Sequence, residues 1–222
     1  MDVIILAAGK GTRMNVGYNK MFLKLGEKEI IWHTLNRFCS CSFVNKIILV
    51  TGTEDLNKCR EICSGFDKEI VVIEGGKTRQ ESSFKGISAS DSDYVMIHDG
   101  ARPFITEEDI LKTRDAAFEY GAAAVGARCI DTLKTCDENG FISGTIDRNK
   151  VFKIYTPQAF DKKMLLEFHA KAVSDCIEVT DDSALCEYCG KKVKFVEGSP
   201  LNIKITTGED VLLGETLLKI YN

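Results

Sequence analysis

The chain has 222 residues, 44% hydrophobic and 28% charged, which is enough apolar material for one sizeable core and far from the composition of a disordered polymer. Its 29 basic and 33 acidic residues leave a net charge of −4, so nothing draws it generally to nucleic acid or an anionic membrane, and an anionic ligand needs a local basic cluster. No apolar run approaches the ~20 residues of a membrane span and the N-terminus lacks a signal-peptide pattern, so the expected compartment is the cytosol.

Short apolar runs at 3–6, 46–50, 70–73, 94–97 and 122–127 read as strands, with stretches of helical period between them. That alternation predicts βαβ units: an α/β fold with a mostly parallel sheet covered on both faces. Thr106-Glu107-Glu108-Asp109 has the pattern of a helix start before Ile110 and Leu111. Within 131–150, two alternating runs flank Asp137-Glu138-Asn139-Gly140 and predict a β-hairpin. A lone hairpin is marginal in water, so such an arm packs on something, often a second subunit. A second helix start follows at Thr207-Gly208-Glu209-Asp210. Nine scattered cysteines make a disulfide framework improbable, and Cys186 and Cys189, though spaced like zinc ligands, read as ordinary thiols because no second such pair exists.

Directly behind the first strand stands Leu6-Ala7-Ala8-Gly9-Lys10-Gly11-Thr12-Arg13-Met14. Small residues let the backbone approach a ligand closely, and the N–H groups of such a turn converge on phosphate oxygens. Residues 3–26 include no acid but carry Lys10, Arg13, Lys20 and Lys24. A cationic strip inside an acidic protein points to a triphosphate. The dinucleotide fingerprint fails, because Met14 stands where it needs a third glycine, and no Walker loop occurs.

His98-Asp99-Gly100-Ala101-Arg102-Pro103 closes the fourth strand. Asp99 there reads either as a holder of Mg²⁺ against phosphates or as a turn cap paired with Arg102, itself a natural anion clamp. His98 reads as oriented or buried rather than catalytic. Glu74-Gly75-Gly76-Lys77-Thr78-Arg79-Gln80-Glu81-Ser82-Ser83 is a loop and helix cap, whose glycines expose backbone to a base edge and whose hydroxyls suit a base carbonyl or ribose. Thr180-Asp181-Asp182-Ser183 reads as an N-cap, and Lys204 as a lysine on a strand.

Taken in order, LAAGKGTRM with Lys20, EGGKTRQES, HDGARPF, DTLK, TIDR, TPQAF, TDDSALCEYCG and NIKITTGED resemble the 2-C-methyl-D-erythritol 4-phosphate cytidylyltransferases along nearly the whole chain. The first motif alone marks only a nucleotidyltransferase with a Rossmann-like sheet of glycosyltransferase-A type. The resemblance implies that residues 1–222 are a single cytidylyltransferase domain with 131–150 as a dimerisation arm. It also implies transfer of a cytidylyl group from CTP to the polyol phosphate, with Mg²⁺, in a homodimer. Ala7, Ala8, Gly9, Gly11, Thr12, Arg13 and Lys20 would surround the triphosphate, with Arg13 and Lys20 catalytic. Gly75, Gly76 and Ser82 would read the cytosine and ribose, and Asp99 would hold the metal. Arg102, Thr180 and Lys204, with Thr132 and Arg148 from a partner's arm, would line the sugar-phosphate pocket. Two positions depart from the family's pattern: Asn19-Lys20-Met21 replaces Pro-Lys-Gln, and Gly100 replaces Ala. A related ribitol 5-phosphate cytidylyltransferase shares the nucleotide half, and a sugar-nucleotide uridylyltransferase shares little beyond the first loop. A non-catalytic CTP-binding regulatory dimer is the competitor from another class, and the presence of Arg13, Lys20 and Asp99 argues against it.

Overall fold

The computed structural model describes residues 1–9 and 19–221. Its strands are β1 (Asp2–Leu6), β2 (Lys24–Leu25), β3 (Lys28–Glu29), β4 (Ile47–Thr51), β5 (Ile70–Glu74), β6 (Tyr94–Asp99), β7 (Ala122–Arg128), β8 (Lys134–Cys136), β9 (Ile142–Thr145), β10 (Phe152–Asp161) and β11 (Lys194–Glu197). The helices are α1 (Ile30–Cys39), α2 (Leu56–Cys63), α3 (Arg79–Ser88), α4 (Glu107–Tyr120), α5 (Lys162–Ser174), α6 (Asp182–Tyr188) and α7 (Gly208–Tyr221). The five runs read as strands are β1, β4, β5, β6 and β7, whereas β10 and β11 escape the sequence reading. No helix among the described residues is long and apolar enough to cross a membrane.

The main sheet has the order β11-β7-β10-β6-β1-β4-β5. Every strand in it runs parallel to β1 except β10, which lies antiparallel between β6 and β7. From β1 the chain builds outward through β4 and β5 on one side, then returns to lay β6 on the other. Loops leaving β1 and β6 therefore part in opposite directions, and the crevice they leave at the carboxyl ends is where open α/β sheets take ligands. Leu6 and Asp99 lie in register at that edge.

Alternate residues of the central strands feed two cores, the consequence of a two-residue side-chain period in strands covered on both faces. Val3, Ile5, Ile47 and Leu49 pack with Ile31, Leu35 and Phe38 of α1 and with Ile110 and Ala117 of α4. Ile4, Ile48 and Val50 pack on the opposite face with Ile87 of α3, Leu165 and Ala172 of α5, and Leu185 of α6. Each fully buried aliphatic side chain contributes about 1.5–3 kcal/mol. A third cluster joins Leu25, Ile30, Phe104, Ile205, Leu217 and Leu218, seating α7 beside the β2–β3 hairpin. Both capping sequences start helices: Thr106 Oγ1 accepts from Asp109 N at 3.1 Å and Thr207 Oγ1 from Asp210 N at 3.3 Å.

The arm is present as β8 paired antiparallel with β9. Its turn is longer than the two-residue Asn-Gly connection. Gly140 N bonds Asp137 O at 3.1 Å, and Asp137 Oδ1 accepts from Asn139 N and Phe141 N. Gly140 takes the left-handed conformation with φ 83°. Ile130, Phe141 and Ile142 along the arm are 67% to 79% exposed.

Candidate active site

Ala7 still belongs to the sheet, its N–H reaching Val50 O at 2.7 Å. Ala7 is buried, Ala8 half-buried and Gly9 exposed, so the chain leaves the sheet over three small residues. Lys10, Gly11, Thr12 and Arg13 lie outside the described residues. Lys20 opens a single 3₁₀ turn, Lys20–Phe22, and its Nζ donates to Ile205 O at 2.8 Å. The loop behind β5 comes up against the first loop. A Cβ on Gly75 would lie 2.7 Å from Ala8 Cβ and 2.9 Å from Ser82 Oγ, so only glycine permits this approach.

Thr78 caps α3 by accepting from Glu81 N at 3.1 Å, and Glu81 reaches back to Lys77 N at 2.7 Å. Ser82 is buried; its hydroxyl donates to Thr78 O and accepts from Gly76 N at 3.0 Å. That hydroxyl shapes the glycine loop from within, its one proton already committed. Gly75 N donates to Thr51 O at 2.8 Å. Lys85 Nζ donates to Gly75 O at 2.7 Å, which ties the loop to its own helix.

Asp99, at the end of β6, is the hub of the crevice. Lys204 Nζ lies 2.8 Å from its carboxylate, Arg102 Nε 3.6 Å and Arg79 Nε 4.0 Å. Burial alone would raise the carboxyl's pKa, but Lys204, Arg79 and Arg102 outweigh it and hold it at about 2. Arg79 also donates to Asp182 at 2.8 Å. Arg79, Arg102 and Lys204 thus converge on Asp99, with Asp182 and, more weakly, Asp181 also acting on Arg79, and Lys20 is tied to Ile205 beside them. Arg79 Nη2 and Arg102 Nε are buried without a hydrogen-bond partner among the described residues. Buried guanidinium donors in that state suit an incoming phosphate.

The segment carrying Lys204 stitches these parts together. Asn202 Nδ2 donates to Thr156 O and Arg102 donates to Asn202 O, both at 2.8 Å, while Ile205 N bonds Ala101 O at 2.8 Å. Lys204 is therefore on an extended connection and not on a strand, because the segment pairs with turns and side chains instead of a ladder.

His98 is fully buried, with Nε2 3.0 Å from Arg102 O and Nδ1 3.2 Å from Thr156 Oγ1. Since Thr156 Oγ1 accepts from Asp99 N at 2.9 Å, its proton goes to His98 Nδ1, which fixes the neutral Nε2–H tautomer. Burial pushes His98 down to about 4 from its ordinary 6.5. The unfolded chain then binds the proton first on acidification, so the stability contributed at neutral pH is lost between about pH 6.5 and 4. About 3 kcal/mol is expected to go in that window, at ~1.36 kcal/mol per unit. Urea midpoints at pH 7.5, 5.5 and 4.5 read it, and a His98→Gln variant should flatten the slope; equal slopes for the two proteins would contradict the assignment.

With this geometry in view, likeness to known proteins is decisive. The family model described as 2-C-methyl-D-erythritol 4-phosphate cytidylyltransferase matches residues 1–220. The chain belongs to that family. The enzyme of this name from Clostridium novyi (strain NT) is 44% identical over 220 residues, covering 97% of this chain and 95% of the relative. That from Caldanaerobacter subterraneus subsp. tengcongensis is 42% identical over 224 residues, covering 99% of each. The crystal structure of 4-diphosphocytidyl-2C-methyl-D-erythritol synthase from Anaerococcus prevotii DSM 20548 aligns with a TM-score of 0.90 at 35% identity, covering 98% of this chain and 95% of that one. The Thermus thermophilus cytidylyltransferase aligns at 0.81 and 28%, covering 98% of both.

In this cytidylyltransferase the structure brings Lys20, Asp99, Arg102 and Lys204 together, and Ala8 against Gly75. Thr180 is exposed, one residue before the Asp181 cap of α6, which Gln158 Nε2 anchors at 2.8 Å. Thr132 and Arg148 stand apart on the exposed arm. Arg148 donates to Ile130 O at 3.0 Å, and among the described residues neither is bonded to the Asp99 cluster. Arg79, Asp182, Thr156 and Asn202 are central to the cluster but were not singled out by the sequence. Arg79 lies within EGGKTRQES, next to the Thr78 cap, and a cation at a helix start is the clue the sequence holds.

The two departures of this cytidylyltransferase from its family's pattern meet in space. A Cβ on Gly100 would lie 3.1 Å from Met21 Sδ, 3.0 Å from Ile31 Cδ1 and 3.2 Å from Leu6 O. Met21 is buried and takes the room that an alanine at 100 would need. Asn19 has φ −64°, a value proline also adopts, so this backbone suits either residue.

As a metal ligand the crevice offers the Asp99 carboxylate, and no group of three or more His, Cys, Asp or Glu side chains gathers among the described residues. One carboxylate beside buried guanidinium donors for phosphate fits Mg²⁺ carried on a nucleotide, which needs only one or two protein oxygens. The Cys186 thiol is buried, and that burial pushes it up to about 12.

Proposed function

We propose that this cytidylyltransferase joins the cytidylyl group of CTP to the phosphate of 2-C-methyl-D-erythritol 4-phosphate, giving CDP-methylerythritol and pyrophosphate. The observation that carries the reading is the convergence of Arg79, Arg102 and Lys204 on Asp99, with Lys20 beside it. An acceptor phosphate oxygen forms a bond to the α-phosphorus while the α–β bridging bond breaks, and its electron pair leaves with pyrophosphate. No general base is required, because a phosphate monoester with its second pKa ~6 is already a dianion at pH 7. Catalysis is then placement and charge stabilisation. Lys20 and Arg13 offset charge on the transferring and leaving phosphates. Arg102, Lys204 and Thr180 seat the acceptor. Asp99 would hold Mg²⁺, which supplies charge neutralisation on the triphosphate when bound.

In this reading Ala7, Ala8, Gly9, Gly11 and Thr12 would meet the triphosphate. Gly75 and Gly76 have their N–H groups committed inside the protein and Gly75 O accepts from Lys85, so the Gly76 carbonyl is the backbone acceptor this reading offers the base. Carbonyl acceptors match the exocyclic amine of cytosine and oppose the carbonyl that uracil bears there. Ser82 supports the ribose side by holding that loop.

The whole chain works as one domain, in a cytoplasmic homodimer whose arms embrace. All nine cysteines are free thiols, which suits a reducing compartment. The arm's exposed Ile130, Phe141 and Ile142 need cover, and the partner subunit's Thr132 and Arg148 would complete each pocket. An Ile142→Lys variant should halve the mass by light scattering and lower kcat/KM by about 10²-fold as those groups are misplaced. A dimer of full activity would contradict the arm's role. Pyrophosphate release with CTP and Mg²⁺, with methylerythritol phosphate and ribitol 5-phosphate offered separately, tests the function itself. Turnover of the first supports it; turnover of the second alone, or CTP binding without turnover, overturns it.

A further inference from the structure

We propose that Asn19 is a positioning residue: its side chain clasps the two ends of the loop behind β1 and so fixes the Lys20 ammonium for the transfer. This rests on the reading of Lys20 as a ligand of the triphosphate. One buried amide makes three bonds. Asn19 Nδ2 donates to Ala7 O at 3.0 Å and to Asp55 Oδ2 at 2.7 Å, and Oδ1 accepts from Met21 N at 3.1 Å. The orientation is forced, because a carbonyl and a carboxylate can only accept and the NH₂ must face both.

Each bond ties a different part. Ala7 directly follows β1, so the first ties position 19 back to the edge of the sheet. Asp55 belongs to the 3₁₀ turn Thr53–Asp55 behind β4, so the second anchors the clasp to the neighbouring strand connection. The Met21 bond caps the Lys20–Phe22 turn itself. Lys20 is thereby held from its backbone by Asn19 and at its tip by Ile205 O. An aspartate at 19 would set two carboxylates against each other, and an alanine would leave Ala7 O and Asp55 without this donor.

A double-mutant cycle on kcat tests the proposal, with enzyme in excess so that slow variants are readable. Asn19→Ala is expected to lower kcat about tenfold in the wild-type background, roughly one hydrogen bond's worth of positioning, and to lower it no further in a Lys20→Ala background. Asp55→Ala, which cuts one anchor from outside the loop, should show the same pattern with a smaller factor. It carries the test if Asn19→Ala fails to fold. Equal losses in both backgrounds would make the clasp a merely structural support and overturn the proposal. So would an unchanged kcat for Asn19→Ala and Asp55→Ala while Lys20→Ala is impaired. An unimpaired Lys20→Ala enzyme would instead remove the reading of Lys20, and the clasp with it.

Discussion

Asp99→Asn should lower kcat by at least about 10²-fold and shift the Mg²⁺ dependence to higher concentration. The magnitude follows from losing a preorganised charge at a phosphoryl-transfer centre. The carboxylate answers to Lys204, Arg79 and Arg102 together, so its removal leaves three cations facing one another with less compensation. With its pKa held at about 2, the group is ionised throughout the working pH range, and no acidic limb of the activity profile should belong to it. Steady-state rates across a metal titration read both effects. A variant with reduced kcat and an unchanged metal midpoint would mean that Asp99 only arranges the cations and does not hold Mg²⁺.

The second large effect is expected at a residue with no contact to the reacting atoms. Asp182→Ala should destabilise the fold by about 3–5 kcal/mol, the usual cost of stranding one partner of a buried ion pair. Asp182 is 2% exposed and receives Arg79 at 2.8 Å and Ser83 Oγ at 2.6 Å. Burial would raise its carboxyl, yet the Arg79 guanidinium holds it well below the ordinary carboxylate range. Without it, Arg79 keeps only the 4.0 Å approach to Asp99 and the weaker pull of Asp181, so KM for CTP should rise as stability falls. Urea unfolding with parallel kinetics checks this, and a loss below about 1 kcal/mol would show that the pair contributes little beyond its own desolvation.

What the sequence made legible follows physical range. Strand runs, the capping patterns at Thr106 and Thr207, and the arm depend on neighbours within a few residues, and each is where its pattern put it. Asp99 is legible because loops at strand ends of open sheets carry ligands whatever the details, whereas Lys10 and Arg13 of the cationic strip lie outside the described residues. Arg79 with Asp182, and Arg102 with Asn202, join residues about a hundred apart; no local pattern signals such pairs. For the same reason β10 was missed, since its antiparallel place between β6 and β7 is set by its neighbours in the sheet. Replacing Pro-Lys-Gln by Asn19-Lys20-Met21 removes a ring that would fix the backbone φ. In the structure Asn19 supplies side-chain bonds, and Met21 fills the space that Gly100 leaves.

A crystal structure of the protein with CTP, Mg²⁺ and methylerythritol phosphate tests most directly whether the crevice at the carboxyl ends of β1 and β6 is the reaction centre. The account predicts the triphosphate against the loop behind β1 with Lys20 on it, the cytosine at Gly75 and Gly76, Asp99 on the metal, and the acceptor phosphate between Arg102 and Lys204. A nucleotide bound anywhere else, or bound here with Lys20 and Asp99 both turned away from its phosphates, would contradict it.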